Sequence, residues 1–160
     1  MKSLLDHLRT QVAALTSTSP VDEAPYQVMM GLHSLGLKVE ADPSLRAAIR
    51  GFLGDTAPRL ADAFMALEAF GADLSRRSET GWSDDPSQFE DLCTRRSALA
   101  FLAELYADTS LASELDRIDQ AWLDGIMRDH ASHGFLPPDA IPAHMPARHW
   151  WWWLPDDPPA

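Results

Sequence analysis

The sequence predicts an all-α protein, a compact bundle of about six helices with a Pro/Trp-rich tail packed across it. Three observations carry that expectation. Apolar residues recur at helical spacing in stretch after stretch. Glycine and proline punctuate those stretches at helix-stop and helix-start positions. No alternating run is long enough to imply a sheet, so the class is all-α.

Taken in order, Leu4, Leu8, Val12 and Leu15 share one face of a first helix, which Thr16 to Pro20 interrupts. A second helix starts near Asp22 to Pro25, with Val28, Leu32 and Leu35 as its stripe. Gly36 reads as its C-cap, and Leu37 to Glu40 as a short extended piece. Asp42-Pro43 opens a third helix, since aspartate suits an N-cap and proline the first helical position. Leu45, Ala48, Ile49, Phe52 and Leu53 hold its period up to Gly54.

A fourth helix is expected from Pro58 to Arg77, on Leu60, Phe64, Leu67, Gly71 and Leu74. Asp85-Pro86 with Gln88 starts a fifth, whose apolar arc widens through Leu99, Leu102, Leu105 and Tyr106. That width marks it as the central helix. Ser110 caps a sixth, with Leu111, Leu115, Ile118, Trp122 and Ile126 in line before Gly134. The short connections at 54–58 and 108–110 make these last neighbours antiparallel. Seven prolines crowd the chain beyond Gly134, and no regular helix survives that density. The expected division is a helical domain over 1–134 and an extended tail over 135–160 that packs on the domain or on a partner.

Composition narrows the function. The 160 residues carry 24 acidic against 13 basic side chains, a net charge of −11. Such a surface repels phosphate backbones and anionic membranes, so neither nucleic acid nor membrane is expected as a partner. A protein partner, and a basic one, fits better. With Cys93 as the sole cysteine no intramolecular disulfide forms. No apolar run reaches the roughly 18–20 residues needed to span a bilayer, and Met1 to His7 does not read as a signal peptide. A cytoplasmic location is expected. Arginine dominates the basic residues, with only Lys2 and Lys38 as lysines, which suggests a GC-rich bacterial genome.

Trp150, Trp151, Trp152 and Trp153 are the most specific feature. Each indole has roughly 150–250 Å² to bury, and four together in water would invite aggregation. At least two are expected to pack on the chain's own body. The other two are the candidates for recognition, because tryptophan is enriched at binding hot spots. Asp116 and Asp119 on the sixth helix are candidates to receive arginines from a basic partner.

Other candidate sites stand on thinner signals. His130 and His133 lie one turn apart, and His149 follows in the tail, so a shared metal is geometrically conceivable. No H-E-x-x-H or C-x-x-C pattern accompanies them. The competing reading makes His130 a hydrogen-bonded border residue and places His133 at the helix C-terminus, where the dipole favours a cation. Glu68 and Arg96 each sit on or beside an apolar stripe, and charges there need partners, so they are expected to form a structural ion pair. Glu68 as a general base in a pocket is the functional alternative. Cys93 reads as a buried thiol on the inner face of the fifth helix. No G-x-G-x-x-G, Walker or G-x-S-x-G pattern occurs.

The sequence therefore favours a non-enzymatic acidic protein-binding module of immunity, inhibitor, chaperone or accessory-subunit type. No cofactor is implied. A small enzyme or metal-binding protein with a site near His130 and His133 is the second reading. A structural subunit that swaps its tail in a homodimer is the third.

Overall fold

The computed structural model describes residues 24–54, 58–80, 86–129, 136–154 and 156–159. Among them lie five α-helices and no strand: α1 (Ala24–Ala41), α2 (Leu45–Leu53), α3 (Pro58–Thr80), α4 (Pro86–Tyr106) and α5 (Thr109–Asp129). Two short 3₁₀ turns follow, Pro138–Ala140 and Trp150–Trp152. The helix expected over Leu4 to Leu15 lies outside the described residues, as do His130 and His133.

The fold is built around α4. Thirteen of its residues are buried, from Phe89 to Tyr106 and on every face. A helix apolar all round is a core helix, covered by neighbours on all sides. Here α1, α2, α3, α5 and the Trp150–Trp152 turn all pack on it. The main core gathers Met29 from α1, Phe70 from α3, Leu92 and Leu99 from α4, Leu111 and Leu115 from α5, and Leu136, Met145, Trp151 and Trp152 from the C-terminal segment. A smaller cluster of Leu35, Val39 and Ile49 joins α1 to α2.

Gly36 is not a C-cap. The helix α1 runs through it to Ala41. The glycine serves a close approach instead: a Cβ at this position would stand 2.0 Å from Cδ2 of Phe101. The ring of α4 fills the space a side chain would take. Gly54 does end α2 as expected. Its φ of 74° lies in the left-handed region, and its N–H donates to Arg50 O at 3.0 Å. The hydroxyl of Tyr106 donates to Gly54 O at 3.0 Å, tying the end of α4 to this turn.

Between α4 and α5 the chain reverses through Ala107, whose φ is 51°. The N–H of Asp108 reaches back to Ala103 O at 2.8 Å, a Schellman-type closure. The N-cap of α5 is Asp108 rather than Ser110: its carboxylate accepts from the Leu111 N–H at 3.1 Å. Aspartate supplies both the acceptor and a charge that suits the helix N-terminus.

Charge ties α3 to α4. Asp73 is buried and accepts from Arg76 and Arg77 on its own helix and from Arg95 on α4. Burial works to raise its pKa, yet the arginines outweigh it and hold the carboxyl below its usual value.

Candidate functional site

The densest polar chemistry among the described residues sits where the C-terminal segment meets α4. Its centre is Ser97, which is fully buried. The indole N–H of Trp152 donates to Ser97 Oγ at 2.8 Å, and that of Trp151 donates to the same oxygen at 3.1 Å. The Trp151 N–H also lies 3.3 Å from Cys93 O. A hydroxyl has two lone pairs and one proton. The two indoles take both lone pairs. The Ser97 proton therefore belongs to His149 Nδ1, 3.0 Å away; Met145 Sδ at 3.9 Å is the weaker acceptor.

The Glu104 carboxylate beside Nε2 favours the same His149 tautomer. Nδ1 accepts, so Nε2 carries the hydrogen, and it faces Glu104 Oε1 at 3.5 Å. The imidazole is itself buried, stacked on Trp151 at 4.8 Å and tilted against Phe101 at 4.5 Å. Burial lowers its pKa, and the neighbouring Arg148 and Arg96 act the same way against Glu104.

Arg148, one residue earlier, grips two helices. It donates to both oxygens of Glu104 on α4, at 2.8 and 2.7 Å. It also donates to both oxygens of Glu40 on α1, at 3.1 and 2.6 Å. Forked contacts of this kind are the strong form of ion pair. Burial alone would raise the Glu104 pKa, but the Arg148 hydrogen bonds and charge bring it down to about 2.

Beside this clamp lies a second, buried pair. Arg96 is 4% exposed. It donates from Nε and Nη2 to the two oxygens of Asp119 on α5, each at 2.6 Å. Its guanidinium lies 4.3 Å from the centre of the Trp151 ring, within cation–π range.

A cleft of about 200 Å³ opens between α4, α5 and the C-terminal segment. Ala100, Ala103, Ala112 and Leu115 give it small or apolar walls, and Trp150 and Trp151 supply indoles. Its charges are Arg96, Glu104, Asp116, Asp119 and Arg148. All but Asp116 are joined in the pairs just described. Asp116 is exposed and meets no cation among the described residues.

The arrangement of serine, histidine and glutamate superficially suits nucleophilic catalysis. Its details oppose that chemistry. The Ser97 oxygen is out of reach of solvent and has no free lone pair. Cys93 is buried too, and desolvation pushes its thiol well above its ordinary pKa. What the network does is hold residues 149–152 against α4 in one geometry.

The residues singled out by sequence fall as follows. Trp151 and Trp152 are buried, at 2% and 1% exposure, while Trp150 and Trp153 are half-buried. Asp116 lines the cleft, but Asp119 is not available to a partner's arginine because Arg96 already occupies it. The pair expected between Glu68 and Arg96 does not form. Glu68 is exposed on α3, and Arg96 turns instead to α5, where Asp119 is within reach. His149, offered as a third ligand, spends Nδ1 on Ser97. Among the described residues no group of three or more His, Cys, Asp or Glu is placed to hold a metal ion. No described helix is long and apolar enough to cross a membrane.

Sequence reasoning passed over Ser97, Glu40, Glu104 and Arg148. A signal for Ser97 existed: a hydroxyl in the middle of the most apolar helix must find partners, and buried indole N–H groups must find acceptors. No family model matches this chain, and no curated protein or solved structure shows significant similarity to it.

Proposed function

We propose that the chain is a non-catalytic protein-binding module that receives a basic side chain of a protein partner in the cleft between α4, α5 and the C-terminal segment. The observation behind this reading is the state of charge in that cleft. Four of its five ionic side chains are paired within the protein, while Asp116, which meets no cation among the described residues, lines the same cleft as the half-buried Trp150. An indole and an unpaired carboxylate together favour an ammonium or guanidinium group. The net charge of −11 would draw such a partner in from a distance, with association slowed by salt. Tail packing supports the same reading: Trp151 and Trp152 are buried in the core, while Trp150 and Trp153 keep part of their surface exposed.

A titration with triarginine, followed through the indole N–H resonances, tests the proposal. The Trp150 signal should shift at low peptide concentration, and triglutamate should leave it in place. Asp116→Asn should weaken the response severalfold. Glu68→Gln, which removes the same charge from α3, should not. Equal losses in both variants, or shifts spread evenly over remote carboxylates, would refute a specific site.

A further inference from the structure

We infer that the C-terminal segment is an acid-released latch, docked on α4 and α1 only while His149 and His33 are both neutral.

Ser97 Oγ already accepts two indole N–H bonds and gives its proton to His149 Nδ1. If His149 is protonated, Nδ1 becomes a donor. Three N–H groups then converge on an oxygen with two lone pairs, in a site with no exposure to water. The Trp151 N–H is then left with Cys93 O alone, at 3.3 Å, and the Ser97 hydrogen with the weaker acceptor Met145 Sδ at 3.9 Å, so strong bonds are exchanged for poor ones. A buried imidazolium also meets Arg148 and Arg96, which repel it, and Glu104 at 3.5 Å, which attracts it. Glu104 is already engaged by the Arg148 fork, so it cannot turn fully to the ring.

His33 on α1 reinforces the device. It is buried against the same segment, stacked on Trp152 at 5.9 Å and near Phe101 at 6.2 Å. Its Nε2 has no hydrogen-bond partner. Protonation would create a buried cation there, and among the described residues the charged group that acts on it is His149, which repels it. Each histidine therefore opposes protonation of the other.

Both rings titrate below their ordinary value of 6.5 in the docked state, His33 down to about 4, with desolvation as the leading cause. A released segment would return them to that ordinary value. Docking is thus fully favoured above pH 6.5 and weakens as the pH falls below it, by about tenfold per pH unit for each histidine. Glu104, held at about 2, keeps its charge throughout this interval, so the change is not shared by the Arg148 clamp. Release would dismantle one wall of the cleft, because Arg148, His149, Trp150 and Trp151 all line it.

Acrylamide quenching of tryptophan fluorescence on the full chain, read beside far-ultraviolet circular dichroism from pH 7.5 to 4.8, tests the latch. Quenching should rise severalfold below pH 6.5 while the helical signal holds. The double variant His33→Asn, His149→Asn keeps an acceptor for Ser97 and should flatten the quenching profile. If that variant does not fold, histidine resonances of the wild-type chain decide the matter. His33 and His149 must titrate below 6.5 and in step with the quenching. Ordinary titration of these two rings, quenching unchanged to pH 4.8, or loss of helix at the same pH as the rise in quenching would each overturn the latch.

Discussion

Ser97 on α4 and Trp152 in the C-terminal 3₁₀ turn are joined by an indole hydrogen bond of 2.8 Å across 55 residues of chain. Beside a weak contact to Met145 Sδ, that bond is one of three on a single oxygen that run to residues 149–152. Ser97→Ala removes the shared oxygen, orphans the buried Trp152 N–H and His149 Nδ1, and leaves the Trp151 N–H only Cys93 O at 3.3 Å. Each orphan costs roughly 1–3 kcal/mol. The variant should therefore unfold at clearly lower urea concentration than wild type, with no change in the slope of the transition. Stability within about 0.5 kcal/mol of wild type would mean that the indoles find other acceptors.

Arg96 and Asp119 form the most deeply buried ion pair described, and this yields a prediction with two signs. Removing one partner leaves a lone charge under Trp151. Arg96→Met or Asp119→Leu alone should each cost about 3–5 kcal/mol. The two together leave no charge behind and should recover most of the loss, since well-packed apolar replacements of buried pairs are often neutral or better. A double-mutant cycle in urea measures the coupling. Additive losses would show that the pair is not a coupled unit.

These sites also mark how far the sequence could be read. Helical periods over Leu45 to Leu53 and Leu111 to Ile118 are local signals, and α2 and α5 follow them. The width of the apolar arc likewise identified α4 as central, because burial on every face leaves a compositional trace. Partner choice left none. Arg96 needed a carboxylate, but whether it came from Glu68 or Asp119 depends on how helices cross, which single-helix periodicity does not encode. Gly36 misled for a related reason. A glycine near a helix end resembles a cap, and only the approaching Phe101 ring distinguishes a cap from a crossing point. Ser97 lay hidden because a serine between Arg96 and Ala98 looks like an ordinary helical residue until the indoles arrive from elsewhere in the chain.

The Gly36 crossing makes a prediction opposite to helix propensity. In an unobstructed helix, glycine to alanine should stabilise by roughly 0.5–1 kcal/mol. Here the new methyl would overlap the Phe101 ring, so Gly36→Ala should destabilise, by about 1–3 kcal/mol for overpacking of this kind. Phe101→Leu withdraws the ring. In that background the alanine should cost much less, and chemical denaturation of the four chains would show it. A stabilised Gly36→Ala would place the α1–α4 crossing elsewhere.

Glu104 supplies the last test, through its dependence on pH. Its carboxyl is held at about 2 against an ordinary 4.5, because the Arg148 fork outweighs the burial that acts to raise it. A carboxyl whose folded pKa is depressed adds stability that is complete above its unfolded value. That stability disappears as the pH falls from about 4.5 toward 2, when the folded chain must surrender its charge. The shift corresponds to at most about 3 kcal/mol, less what solvent takes from the half-exposed Arg148. Glu104→Gln should therefore lower stability at pH 7 and run closer to wild type at pH 3. The histidines lose stability at higher pH, starting at 6.5, so the two effects separate along the same axis. A Glu104→Gln deficit that stays constant from pH 7 to pH 3 would show that packing, rather than the charge shared with Arg148 and Glu40, is what this residue contributes.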